Sequence, residues 1–229
     1  MTVTTTSLTR AAGAAAIAAG SIFIGVQIGH PHLDATSVTS TEVVVRNSLK
    51  ILMATLATAG LTGMYLSQVR RNGVLGLAGY LLLAAAYLLI MCTTFAAAFV
   101  LPVVAATDPA YVTDVIAVTT GGTAVGDLGP LGTVIRVQGL AYLAGGVVFG
   151  VALYRARVLA RWASALLAVG GVVTVVLSLM PDAFYRLLAF PNGIAMIGLG
   201  VSLWLGQRTA VGEKVSPQGD VAATPRALR

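Results

Sequence analysis

Long apolar runs restrict this chain more than any other feature of its sequence. A helix needs roughly 20 apolar residues to cross the hydrocarbon core of a bilayer, where no water can satisfy backbone groups. About six stretches meet this requirement. They cover residues 11–28, 43–66, 74–101, 131–154, 162–180 and 184–205. The sequence therefore predicts an all-α, polytopic transmembrane helix bundle in the cell membrane.

The composition excludes most soluble classes of protein. Of 229 residues, 57% are hydrophobic and 10% are charged, which is too little charge to cover a soluble surface. The net charge of +6 does not indicate nucleic-acid binding, because the basic residues are scattered between the apolar runs. Cys92 is the only cysteine, so disulfide scaffolds and cysteine-rich metal sites are excluded. The expected partner is the lipid bilayer.

The basic residues predict the orientation of the bundle. With six spans and an inner N-terminus, ten of the fourteen Lys and Arg residues lie on one side, and Arg46, Lys50, Arg136 and Arg186 lie on the other. The positive-inside rule then places both termini in the cytoplasm. Residues 1–206 are predicted to form one transmembrane domain. Residues 207–229 mix Gly, Pro, Ser and charges without periodicity and are predicted to be a disordered cytoplasmic tail.

Acidic residues gather on the opposite, outer side in this topology. Six of the eight acids fall there: Asp34, Glu42, Asp108, Asp114, Asp127 and Asp182. Glu42, Arg46 and Lys50 recur every four residues and therefore form one stripe on a helix. Lys50 is expected roughly 10 Å below the start of that span, at about 1.5 Å per residue. In the long loop, Asp108 and Pro109 predict the start of a short helix that continues to about Val118.

The outer charges have a plain structural explanation and a functional one. Glu42 with Arg46, and Asp182 with Arg186, have the i, i+4 spacing of ion pairs at helix N-termini. That explanation covers Lys50, Arg136, Gln138 and Asn192 less well. These residues favour a polar cavity open to the outer leaflet. Aromatic residues at the same level are either packing groups or the wall of a pocket that stabilises positive charge. They are Phe95, Phe99, Tyr111, Tyr142, Phe184, Tyr185 and Phe190.

The motifs narrow the chemistry further. His30 and His32 bracket Pro31, which favours a solvated turn, while His30, His32 and Asp34 are a weak candidate for a metal site. Zincin, nucleophile-elbow and P-loop motifs are absent from the sequence. What remains is chemistry that needs carboxyls, tyrosines and a dry pocket. Proton-initiated cyclisation of an alkene fits, because a carboxyl kept neutral by apolar surroundings can protonate a polyprenyl chain without a metal or a cofactor.

Several segments resemble a known group of proteins. The order of residues 30–34 (HPHLD), 42–50, 108–111 (DPAY) and Gly126-Asp127 looks like that of small actinobacterial integral membrane proteins. These include membrane-bound terpene cyclases of the drimentine-type indole sesquiterpene pathways, and the similarity extends over about residues 11–205. The resemblance implies a metal-free, isomerase-type cyclase that acts on a farnesyl chain attached to an indole-containing acceptor. This chain departs from fungal membrane cyclases in placing no acid well inside a span.

The leading hypothesis is therefore a membrane-bound terpene cyclase for a lipophilic prenylated small molecule. The candidate catalytic acids are Glu42, Asp34, Asp108 and Asp182. The candidate substrate-binding residues are Arg46, Lys50, Phe99, Tyr111, Tyr142 and Tyr185. No metal ligand is assigned. The alternative is a non-enzymatic small membrane protein, such as a permease component, a sensor or an assembly partner.

Overall fold

The structure is a computed structural model that describes residues 3–178 and 189–215, with side chains described up to 173 and over 189–206. Helices and connecting segments make up these ranges, with no strand in them. A short 3-10 helix occupies Ser37–Thr39. The α-helices are α1 Thr5–Gly25, α2 Thr41–Leu66, α3 Val69–Phe99, α4 Leu101–Val104, α5 Pro109–Thr119, α6 Pro130–Ala156, α7 Arg161–Ser178 and α8 Ala189–Val215.

Five helices in the described ranges are long and apolar enough to cross a membrane: α1, α2, α3, α6 and the Ala189–Gly206 part of α8. Helix α7 is also apolar, but its described apolar stretch, Arg161–Val173, is shorter than a span. The prediction of an all-helical membrane protein is thus confirmed. The count of six spans and the cytoplasmic location of the termini stay predictions.

The six long helices form a closed ring. Each packs against its neighbours in the order α1, α2, α3, α6, α7, α8 and back to α1. Glycines let some backbones approach closely, since a Cβ on Gly150 of α6 would lie 2.6 Å from the Ala168 nitrogen of α7. Phe149, Leu83 and Leu199 are among the buried side chains that fill the interior. Helix α3 contains a break at Gly73, whose φ of 56° favours glycine.

A folded cap covers one end of the ring. We define the cap as the 3-10 helix, α4, α5 and the segments that connect them to the ring, and call this end the capped end. Its members pack around a small core formed by Val38, Leu101, Val112, Val115 and Leu128, together with Ile135 of α6. The predicted helix in the long loop is confirmed, because α5 begins directly after Asp108, whose Oδ1 accepts a 3.0 Å hydrogen bond from the Tyr111 nitrogen.

Helix α1 begins at the end of the ring opposite the cap. The Arg10 guanidinium lies 5.1 Å from the Trp204 ring centroid, so the start of α1 and the end of the Ala189–Gly206 segment meet there. The tail predicted for 207–229 begins inside α8, whose helical backbone continues to Val215. Residues 216–229 lie outside the described ranges.

Candidate functional site

A cavity lies between the cap and the ring, and we call it the cap-end cavity. It has two adjoining chambers of about 220 Å³ and 130 Å³. Both chambers are lined by Leu33, Lys50, Thr119, Thr120 and Gln138. Because Thr119 and Thr120 end helix α5, the cap itself forms part of the wall. The larger chamber is also lined by Phe23, Gln27, His30, Met53, Tyr87, Ile90, Gly139 and Tyr142.

A cationic side chain and a histidine meet in this cavity. The Lys50 Nζ lies 3.5 Å from the His30 Nε2, and the other ring nitrogen of His30 lies 2.9 Å from the Pro31 carbonyl oxygen. Both side chains are partly buried. The helical stripe of Glu42, Arg46 and Lys50 therefore carries Lys50 into a cavity that Gln138 also lines, whereas Arg136 and Asn192 do not line it. The interpretation of the histidines as a solvated turn was wrong for His30, whereas His32 is exposed.

Amide and hydroxyl groups supply further polar atoms to the cavity. The Thr93 Oγ1 donates a 2.8 Å hydrogen bond to the Gln138 Oε1, which orients the Gln138 amide between α3 and α6. Asn47 and Thr94 line the smaller chamber, and Asn47 is only 7% exposed. The cavity can therefore bind a polar group as well as an apolar one.

Two tyrosines contribute aromatic rings to the wall beside Phe23. The rings of Tyr87 and Tyr142 meet edge to face, with centroids 5.6 Å apart and planes at 77°. Both rings are buried, with exposures of 2% and 8%. Tyr142 was among the predicted binding residues and lines the cavity, while Tyr87 was missed. Tyr87 lies within an uninterrupted apolar run, so only its hydroxyl group distinguishes it in the sequence from a residue of the core.

The other predicted aromatic residues lie elsewhere. Phe99 packs on Phe95 with ring centroids 5.0 Å apart, and their side chains are 49% and 54% exposed on the flank of the ring. Tyr111 packs against the core of the cap. Tyr185 lies outside the described residues.

Three of the four candidate acids are described, and none of the three lines the cavity. Asp34 is exposed and accepts hydrogen bonds from the backbone nitrogens of Thr36 (2.8 Å) and Ser37 (2.6 Å), which lower the pKa of its carboxyl. Asp108 caps α5. Glu42 pairs with Arg46 at 2.8 Å and is 55% exposed, so the predicted ion pair is confirmed. Asp182 lies outside the described residues.

Arg46 connects two helices. Its guanidinium donates to the carbonyl oxygens of Val26 (2.8 Å), Ile28 (3.0 Å) and Gly29 (3.1 Å), where α1 has ended. Helix C-termini leave such carbonyls without helical partners, and Arg46 satisfies them. Its side chain lines a shallow groove between α1 and α2 with Glu42, not the cap-end cavity. Arg46, a predicted binding residue, therefore has a structural role in these contacts.

The site shows no metal-binding group within the described residues. His30, His32 and Asp34 do not form a cluster that could hold an ion. No protein-family model, curated protein or solved structure matches the chain.

Proposed function

We propose that the protein is a membrane-bound terpene cyclase that holds the prenyl chain of a lipophilic small molecule in the cap-end cavity. The observation that carries the proposal is the composition of the cavity wall. The edge-to-face rings of Tyr87 and Tyr142 line the same chamber as the Lys50 and His30 pair. Aromatic rings stabilise positive charge through their quadrupole, and a dry site strengthens that interaction.

The reaction we propose begins with protonation of an alkene of the chain by a carboxylic acid. Ring closure then forms carbon–carbon bonds from π electrons, and loss of a proton ends the sequence, so the product has the mass of the substrate. Asp34 is a poor donor because backbone hydrogen bonds from Ser37 and Thr36 stabilise its ionised form and lower the pKa of its carboxyl. Asp34, Glu42 and Asp108 do not line the cavity, so Asp182 is the first of the predicted acids to test.

The decisive experiment supplies a farnesylated indole to membranes that contain the protein. A cyclised isomer of equal mass is the expected product, detected by chromatography and mass spectrometry. Asp182→Asn should abolish it, and Asp34→Asn should leave it unchanged at matched protein levels. No isomer from any prenylated acceptor would refute the cyclase proposal.

A second candidate is a non-enzymatic membrane protein that binds an amphipathic small molecule in the same cavity. The specific observation in its favour is that no carboxyl group lines the cavity among the described residues. This candidate predicts saturable binding of a farnesylated compound without any change in the compound. Recovery of the ligand unchanged after long incubation would separate it from the cyclase.

A further inference from the structure

We propose that the end of the ring opposite the cap binds anionic phospholipids of the bilayer through a cluster of exposed arginines. The cluster consists of Arg70 and Arg71 on α3, Arg155 and Arg157 at the end of α6, and Arg161 at the start of α7. All five side chains are exposed, and we call them the arginine cluster. This lipid binding is independent of the proposed function.

The packing of α3 on α6 brings the arginines to one end of the ring. Gly79 lies against Phe149, and further along α3 Leu83 lies against Gly145, which comes earlier in α6. The two helices are therefore antiparallel, so the start of α3 and the end of α6 lie side by side. Because α6 begins next to the core of the cap, this end is the one opposite the cap. Helix α7 also begins there, at Arg161.

The two ends of the ring differ in charge among the described side chains. The five acids that the structure describes all lie at the capped end: Asp34, Glu42, Asp108, Asp114 and Asp127. They outnumber the three described basic residues of that end, Arg46, Lys50 and Arg136. No acidic side chain is described at the opposite end, and residues 207–229 contain four basic and two acidic residues. The arginine cluster therefore has no described acidic partner and attracts anions.

Aromatic side chains place the arginine cluster at the level of the lipid headgroups. Trp162 follows Arg161 and is 59% exposed, and Tyr154 precedes Arg155 and is 38% exposed. Tryptophan and tyrosine are enriched where a membrane meets water, because their rings are apolar and carry a polar group. Helices α3 and α6 are long and apolar enough to cross the bilayer, so their ends meet the headgroup region. An anionic phospholipid brings a phosphate with net negative charge to this level.

The geometry at Arg161 suits a phosphate. Its guanidinium carbon lies 4.3 Å from the centroid of the Tyr154 ring. A guanidinium held against an aromatic ring still presents N–H groups at its edge, and these can bind two phosphate oxygens at once. The contact with the ring also restricts the side chain, so less conformational entropy is lost when a headgroup binds.

The backbone at Arg157 provides an independent argument. Arg157 ends α6 with a φ of 57° and a ψ of 29°, and within the described ranges it alone has a positive φ among the non-glycine residues. This left-handed conformation favours glycine, which commonly follows the end of a helix. Local backbone stability therefore does not explain an arginine at this position, whereas a role for its exposed charge does.

Tryptophan fluorescence of the full chain in lipid vesicles measures the preference. Trp162 and Trp204 are the two tryptophans of the chain, and both lie at the end opposite the cap. Brominated phosphatidylglycerol, which is anionic, should quench them at a lower lipid fraction than brominated phosphatidylcholine, which has no net charge. We expect tighter binding of phosphatidylglycerol by about 5-fold for each arginine that contacts a headgroup, equivalent to about 1 kcal/mol. Equal quenching by the two lipids would overturn the proposal.

Variants at the two ends of α6 test whether the cluster causes the preference. Arg155→Gln and Arg157→Gly should each lower it about 5-fold. Arg157→Gly also relieves the left-handed backbone, so its unfolding temperature in phosphatidylcholine should equal or exceed that of the wild-type protein. Arg136→Gln is the matched control, because Arg136 is an exposed arginine near the opposite end of the same helix. An equal loss of preference in Arg136→Gln would assign the effect to net charge and reject the cluster.

Inorganic phosphate distinguishes a lipid site from a site for the free anion. Sodium phosphate and sodium chloride at the same ionic strength screen charges equally, so both should weaken the preference for phosphatidylglycerol to the same extent. A larger loss in phosphate would mean that the arginines bind the free anion, and the assignment to a lipid would then be wrong.

Discussion

The Arg46 Nη1 lies 2.8 Å from the carbonyl oxygen of Val26, the residue that caps the C-terminus of α1. Arg46→Met leaves this carbonyl and those of Ile28 and Gly29 without the guanidinium. We expect the free energy of unfolding to fall by about 1–3 kcal/mol for each carbonyl that stays buried without a donor. The measurement is thermal unfolding of the purified protein in detergent, followed by circular dichroism.

Two matched variants define the cause of that loss. Arg46→Lys keeps the charge but lacks the planar group that reaches several carbonyls at once, so it should restore only part of the stability. Glu42→Gln should cost no more than about 1 kcal/mol, because an exposed ion pair contributes little. If Arg46→Met unfolds at the wild-type temperature yet fails to bind a farnesylated compound, Arg46 has the binding role that the sequence predicted and not the structural one.

Glycine at position 150 is required by the packing of α6 on α7. A Cβ there would lie 2.6 Å from the Ala168 nitrogen and 2.8 Å from the Ser164 carbonyl oxygen. Gly150→Ala must push the helices apart and should cost about 1–3 kcal/mol. A Cβ added at Gly139, on the same helix, has no atom within 4 Å. Gly139→Ala should therefore raise the free energy of unfolding by about 0.5–1 kcal/mol, because alanine has a higher helix propensity than glycine. Equal unfolding temperatures for the two variants would contradict this account of the packing.

The sequence predicts local structure in this chain better than the site. The cap of α5 by Asp108 and the pairing of Glu42 with Arg46 are both present, because each depends on residues at most four positions apart. The contact between Lys50 and His30 joins residues 20 positions apart, and it exists because α1 and α2 pack side by side. The residues next to His30 in the sequence do not indicate that α1 and α2 pack in this way.

The acids illustrate the same limit. The predicted topology places Asp34, Glu42 and Asp108 at one end of the bundle. It does not indicate whether each carboxyl lines a cavity or caps a helix. In the structure Asp34 and Asp108 satisfy backbone nitrogens. Asp108 does so as the N-cap of α5, as its place before Pro109 predicted, whereas Asp34 does so in the turn before the 3-10 helix.

Asp114 makes the cap sensitive to acid. Its two carboxylate oxygens accept hydrogen bonds from the nitrogens of Val125 (2.9 Å) and Gly126 (2.8 Å), which lower the pKa of Asp114. A carboxyl with a lowered pKa in the folded state stabilises the fold above its unfolded pKa of about 3.9 and loses that contribution as pH falls. We therefore expect the segment 120–126 to become more accessible to an acid-active protease below about pH 4.

The control for that prediction is Asp114→Asn, whose side chain has one acceptor oxygen in place of two. The variant should show the increased cleavage of the segment 120–126 already at neutral pH, where the wild-type protein resists it. If cleavage of the variant and the wild-type protein has the same pH profile, the carboxylate of Asp114 does not hold this part of the cap.

Tyr87 contributes a buried aromatic ring to the wall of the cap-end cavity. Tyr87→Phe keeps the aromatic ring, and Tyr87→Leu removes it. If the ring stabilises a carbocation, Tyr87→Leu should lower the rate of cyclisation about 2- to 30-fold, while Tyr87→Phe retains most of it. Phe95→Leu is the matched control, because that ring is 54% exposed and lies away from the cavity. Equal losses in Tyr87→Phe and Tyr87→Leu would assign the effect to the hydroxyl group. A loss of ligand affinity in Tyr87→Leu with no chemistry in any variant would favour the non-enzymatic binding protein, since packing against a buried ring stabilises an apolar chain without a reaction.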